Sequence, residues 1–132
     1  MSLGFQNAGV LTAYYSYDFA SQGGATGAIA MEGAALPEGA VPVRGFLKVV
    51  EEFTSGGAAT VVVGDSGDAD GYLESVGVAS LGADEVLALD GDLIPSSVGS
   101  DGSAPLLTVG TAALTAGKAV LVVEYHRPVI ED

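Results

Sequence analysis

Asp65, Asp68 and Asp70 stand within six positions of one another in the stretch VVVGDSGDADGYLES (Val61–Ser75), with Gly64, Gly67 and Gly71 among them. Carboxylates this dense can ligate a cation, share a proton in acid–base work, or cap a tight turn. An EF-hand loop needs Asp at its first position, acidic or amide residues at the third and fifth, glycine at the sixth and glutamate at the twelfth. Aligning Gly71 with that glycine puts Asp68 and Asp70 third and fifth, but Ser66 first and Gly77 twelfth. No helix is predicted on either side, so the EF-hand fails. A looser calcium site built from Asp65, Asp68, Asp70 and backbone carbonyls is the minority reading. The expected one is a polar turn in which Asp caps and Gly takes positive φ.

Other chemistry finds less support. Two carboxyls about 5–9 Å apart can hydrolyse a glycoside, but nothing marks one buried acid beside an ionised one. The chain has no Trp to stack a sugar. His126 is the only histidine, and no nucleophile-elbow pattern occurs to join it in a triad. GDSGD (Gly64–Asp68) matches a protease signature by chance, since the rest of such a chain is absent. A lone histidine does not make a zinc or iron site. GGATGA (Gly23–Ala28) has no lysine and no helix after it, so it is a turn and no phosphate loop. No enzymatic activity and no cofactor is expected.

The bulk numbers bound the partners. Four basic residues face seventeen acidic ones, a formal charge of −13. That field repels nucleic-acid backbones and anionic membranes. It leaves a partner with positive patches, or a divalent cation, allowed. Cysteine is absent, which excludes disulfides and thiolate chemistry. The N-terminus has no basic residues before an apolar run, so no signal peptide is expected. The longest apolar run near the C-terminus, Ala119–Val123, is far short of the ~20 residues of a membrane helix. A soluble product is expected. Arg44 and Lys48 fall on one strand face, and Arg127 follows the last strand. They are expected to pair with Glu51, Glu52 or Glu124, or with acids of a neighbouring copy. His126, beside Arg127, reads as a surface or contact residue.

The elements that carry these residues alternate strand and turn. At 132 residues, 48% of them hydrophobic, the chain fits one domain. Twenty glycines disfavour long helices. In Val10–Phe19, residues Leu11, Ala13, Tyr15, Tyr17 and Phe19 share a face, opposite Thr12, Ser16 and Asp18: a half-buried strand. Ser21–Gly24 is a turn, and Thr26–Met31 returns. In Val41–Phe53, residues Val41, Val43, Leu47, Val49 and Phe53 point one way, with Arg44, Lys48 and Glu52 opposite. Thr54–Gly57 turns into the strand Ala58–Gly64. Tyr72–Gly82 reads as a helical turn or irregular strand, and Glu85–Asp90 as a strand. Ser96–Pro105 is a loop. Pro105–Leu114, the turn Thr115–Lys118 and Ala119–His126 form a final hairpin. The sum is an all-β chain of about seven or eight strands, a two-sheet β-sandwich of jelly-roll or Greek-key type. It occupies residues 1–132 as one domain, with an N-terminal arm (1–9) and a C-terminal tail (127–132).

The ordered set GFQNAGVLTAYYSYDFASQGGATGAIAM, LPEGAVPVRGFLKVVEEFTSGGAATVVVG, DADGYLESVGVASL and LTAGKAVLVVEY resembles small virion proteins of tailed bacteriophages, including head decoration or cement proteins. The likeness covers most of the chain. It implies a β-sandwich that binds the outside of an assembled capsid and reinforces it, often as a homotrimer. Its partner is then the major capsid protein, and its place the capsid surface of a virion assembled in the host cytoplasm. No catalytic residue carries over. The arm, with Leu3 and Phe5, and the tail then become docking candidates beside Arg44, Lys48, His126 and Arg127. Two alternatives stay open: a carbohydrate- or calcium-binding β-sandwich module, and a phage tail or neck component.

Overall fold

The structure is a computed structural model that describes residues 10–37, 39–95 and 104–126. Leu3, Phe5 and Arg127, and with them the arm and the tail, lie outside the described residues. The elements are β1 (Leu11–Asp18), α1 (Phe19–Gln22), β2 (Gly27–Ala30), β3 (Val41–Ser55), β4 (Thr60–Gly64), β5 (Leu73–Gly77), β6 (Val86–Ala88), β7 (Leu106–Gly110) and β8 (Leu114–His126). A single 3₁₀ turn, Val78–Ser80, follows β5. None of the described helices is long and apolar enough to cross a membrane.

Two four-stranded sheets form, ordered β1-β8-β3-β6 and β2-β7-β4-β5, with every pairing antiparallel. The first strand pairs with the last, the second with the seventh, the third with the sixth and the fourth with the fifth. That is one long hairpin rolled into two layers, the jelly-roll topology. It confirms the expected all-β sandwich.

The core lies between the sheets, where Tyr15, Tyr17, Leu47, Val49, Phe53, Val61, Val63, Leu107, Leu121 and Val123 are buried. Their spacing follows the period of two, so β-branched runs such as Thr60–Gly64 present alternate valines inward.

Several local expectations change. β1 ends at Asp18 because Asp18 turns to cap: its side chain accepts from the Ala20 N–H at 3.0 Å, starting one helical turn. Phe19 therefore leaves the strand and is half-buried, and Leu11 at the other end is exposed. In β3 the register shifts between Pro42 and Arg44. This bulge reverses the phase, so Pro42 is buried while Val41 and Val43 are half-buried. The expected final hairpin is absent. β7 and β8 belong to opposite sheets, and the chain crosses between them at Thr111–Ala113, with Thr111 at φ 72°. Thr115–Lys118 lies inside β8. Gly117 there (φ 148°) is no turn residue. A Cβ on it would stand 2.8 Å from the Phe53 ring, so the aromatic packs on bare backbone.

The Tyr15 hydroxyl is buried without a hydrogen-bond partner among the described residues. Burial, with the fields of Tyr72 and Tyr125, pushes its pKa far above the ordinary tyrosine value. Because the folded-state pKa is raised, its stabilising contribution is complete below the ordinary value. It is lost as pH climbs, since the unfolded chain ionises first. An orphaned hydroxyl costs about 1–3 kcal/mol. Tyr15→Phe is therefore expected to keep or raise Tm at neutral pH and to lose less Tm than wild type above about pH 10. Thermal melts across that range check it, and a lower Tm for Tyr15→Phe at neutral pH would contradict it.

Candidate functional site

The aspartate stretch is the connection between β4 and β5, the one pair of consecutive strands in the same sheet. Asp65 Oδ1 accepts from the N–H groups of Gly67 and Asp68, both at 2.9 Å, which fixes a side-chain-closed turn. The loop then folds over Gly64, and Tyr72 N–H donates to Val63 O at 2.9 Å to rejoin the sheet. Tyr72 and Leu73 turn into the core. The segment after β6 packs alongside: Asp90 and Gly91 N–H both donate to Tyr72 O at 3.1 Å, and Glu74 N–H donates to Asp90 Oδ1 at 2.9 Å.

Asp65, Asp68, Asp70, Asp90 and Asp92 thus share one end of the sandwich, the end at which β1 begins and β8 finishes. A hydrogen bond that the protonated Asp68 carboxyl donates to the Asp70 carboxylate, then desolvation and the like charges of Asp70 and Asp92, hold the Asp68 carboxyl above the usual range. Among the described residues no three His, Asp or Glu side chains gather as ligands of a metal ion. Asp65 and Asp90 accept from backbone N–H groups, and Asp68 and Asp70 bond each other. Among the described residues no cavity forms either.

Where Arg44, Lys48 and His126 sit is more informative. Ala119, Leu121 and Val123 of β8 are buried, so the alternate residues Lys118, Val120, Val122, Glu124 and His126 point outward. The register sets Arg44 opposite Glu124, Phe46 opposite Val122 and Lys48 opposite Val120. Arg44 Nε meets Glu124 Oε1 at 2.5 Å, and Lys48 Nζ lies 3.6 Å from Asp84 Oδ1. Exposed pairs of this kind contribute about 0–1 kcal/mol. Of the internal partners expected for Arg44 and Lys48, only Glu124 is used in these two bridges. Lys118 lies between Asp18 of β1 and Glu51 of β3. His126, at the end of β8, is half-buried opposite Val41.

One sheet face therefore gathers all the described lysines and arginines of an acidic chain. The other sheet differs: β2, β4 and β7 contain no charged residue.

Sequence reasoning missed the apolar members of the cationic face. Tyr14 and Val86 are 66% and 55% exposed. The signal was present for Tyr14, an aromatic in phase with Thr12, Ser16 and Asp18 on the water-facing side of β1.

No family model and no curated protein matches the sequence. Solved structures do match by fold. A chain of the cyanophage Pam1 capsid asymmetric unit aligns with a TM-score of 0.73 and 24% identity, over 97% of this chain and 91% of that one. A chain of the acidic stable capsid structure of Helicobacter pylori bacteriophage KHP30 aligns at 0.67 and 19%, over 97% and 95%. A chain of the capsid of Ralstonia phage GP4 aligns at 0.59 and 19%, over 90% and 84%. The likeness establishes a shared fold along nearly the whole chain.

Proposed function

We propose that this chain is a non-enzymatic structural protein of a phage virion, a decoration or cement protein that binds the outer surface of the head. The observation that carries this reading is the jelly roll, shared along nearly the entire length with chains of three phage capsid structures. The geometry agrees, because Asp65 caps the turn after β4 and, among the described residues, the lysines and arginines gather on one sheet face beside Tyr14 and Val86. The partner in this reading is the major capsid protein, and the working form is a homotrimer on the capsid surface, added during assembly in the host cytoplasm.

The test is to prepare particles with and without this protein, image them, and heat or osmotically shock both. The expected result is density on the outer shell and greater survival of the decorated particles. Failure to co-sediment with capsids, or equal survival, would sink the reading. A copy number matching the tail or neck instead of the shell would move the protein there.

A further inference from the structure

The five exposed large apolar side chains among the described residues all belong to one sheet, β1-β8-β3-β6, or to the residue leading into it. Register places two of them, Tyr14 and Val86, in rows on its outer face. Tyr14, Val122, Phe46 and Ala88 lie side by side across all four strands. The next row is Ser16, Val120, Lys48 and Val86. Val122 is only 9% exposed yet stands outside the core cluster between the sheets. Its neighbours on the outer face cover it, so the stripe is packed as well as apolar.

The rim of this stripe is charged in both signs. Arg44 is beside Glu124, Lys48 beside Asp84, and Lys118 between Asp18 and Glu51. No other part of the described surface holds a lysine or arginine, whereas acids continue over the end that carries Asp65, Asp68, Asp70, Asp90 and Asp92. Two chains of charge −13 repel wherever acids meet acids. On this face three bases stand against the four acids beside them, so the repulsion is weaker here than over the rest of the described surface, and an apolar centre inside a polar rim is the anatomy of a protein interface. Large apolar side chains left in water on a single face also mark a contact surface.

We infer that the outer face of the β1-β8-β3-β6 sheet, centred on Tyr14, Phe46 and Val86, is where a second copy of this chain docks. The inference deepens the homo-oligomeric part of the reading above and rests on it, but not on attachment to a capsid.

The test uses the full chain. Light scattering over a concentration series should give wild type a multiple of the 13.0 kDa chain mass. Val86→Asp and Tyr14→Asp place a charge in the exposed apolar centre, where the fold tolerates it, and should shift the mass to that of one chain with the circular dichroism spectrum unchanged. Thr108→Asp, on β7 of the opposite sheet, a strand without charged residues, should leave the wild-type mass.

Three results overturn the inference: a single-chain mass for wild type at every concentration, Val86→Asp and Tyr14→Asp that both keep the wild-type mass, or dissociation by Thr108→Asp alone. If the Asp variants keep the oligomer but stop co-sedimenting with capsids, the shell occupies this face, and the inference is equally wrong. An oligomer that Val86→Asp dissociates but that never binds capsids supports the inference and sinks only the decoration reading.

Discussion

Tyr17→Ala is expected to cost about 3–5 kcal/mol, the range for deleting a large buried aromatic, and to lower Tm by roughly 10–20 °C. Tyr17 is fully buried on β1. Its ring meets Phe53 of β3 at a centroid distance of 5.6 Å, tilted by 36°. The two strands are not neighbours, since β8 runs between them. The rings meet because β8 offers only Ala119 opposite Tyr17 and the bare Gly117 against Phe53. The Tyr17 hydroxyl also donates to Gly23 O at 2.6 Å, tying the strand to the connection after α1. Truncation empties this junction of three strands. Tyr17→Phe keeps the ring and loses one hydrogen bond, so it should cost only about 1 kcal/mol. Chemical denaturation of both variants checks the pair. Equal losses would mean that the hydroxyl, and not ring packing, holds the junction.

The second large effect belongs to Gly64. A Cβ there would collide with Asp68 O and the Ala69 carbonyl group, which are backbone atoms of the acidic loop. No rotamer change relieves backbone against backbone, so the loop must lift away from β4. Gly64→Ala is expected to destabilise by about 3 kcal/mol or more, among the larger single-site effects. Gly77 provides the control: an added Cβ meets nothing within 4 Å, and its φ of −77° suits any residue. Gly77→Ala should be neutral or stabilise by about 0.4–1 kcal/mol, through the lower entropy of the unfolded chain. Denaturant midpoints decide it. A Gly64→Ala protein as stable as wild type would show that the loop does not rest on the strand.

These two sites explain how far the sequence could be read. Tyr17 was legible as core, because alternation with Tyr15 assigns it to the inward face of a half-buried strand. Gly64 was legible only as the end of a strand. Its close contact comes from a loop folding back, which composition does not encode. The acidic loop was readable in the negative, since Ser66 and Gly77 stand where an EF-hand needs ligands. What its aspartates do instead, capping the turn and bonding one another, required coordinates.

What the sequence determined by itself was the class of fold. Period-two alternation, glycine-rich turns and the lack of long helical patterns leave an all-β sandwich, because local backbone sterics and side-chain burial act over a few residues. Which strands became neighbours was decided by tertiary structure. Thr115–Lys118 has the composition of a hairpin turn, yet it continues β8, because pairing with both β1 and β3 outweighs local turn preference. The bulge after Pro42 likewise reverses a phase that simple alternation extends through Val41 and Val43. The gathering of Arg44, Lys48 and Lys118 around Tyr14 and Val86 has the same origin. Alternation alone sets Arg44 and Lys48 on one face of β3, but Lys118, Tyr14 and Val86 lie far from them in the chain, and only the β1-β8-β3-β6 pairing, a set of long-range hydrogen bonds, brings all five onto that face.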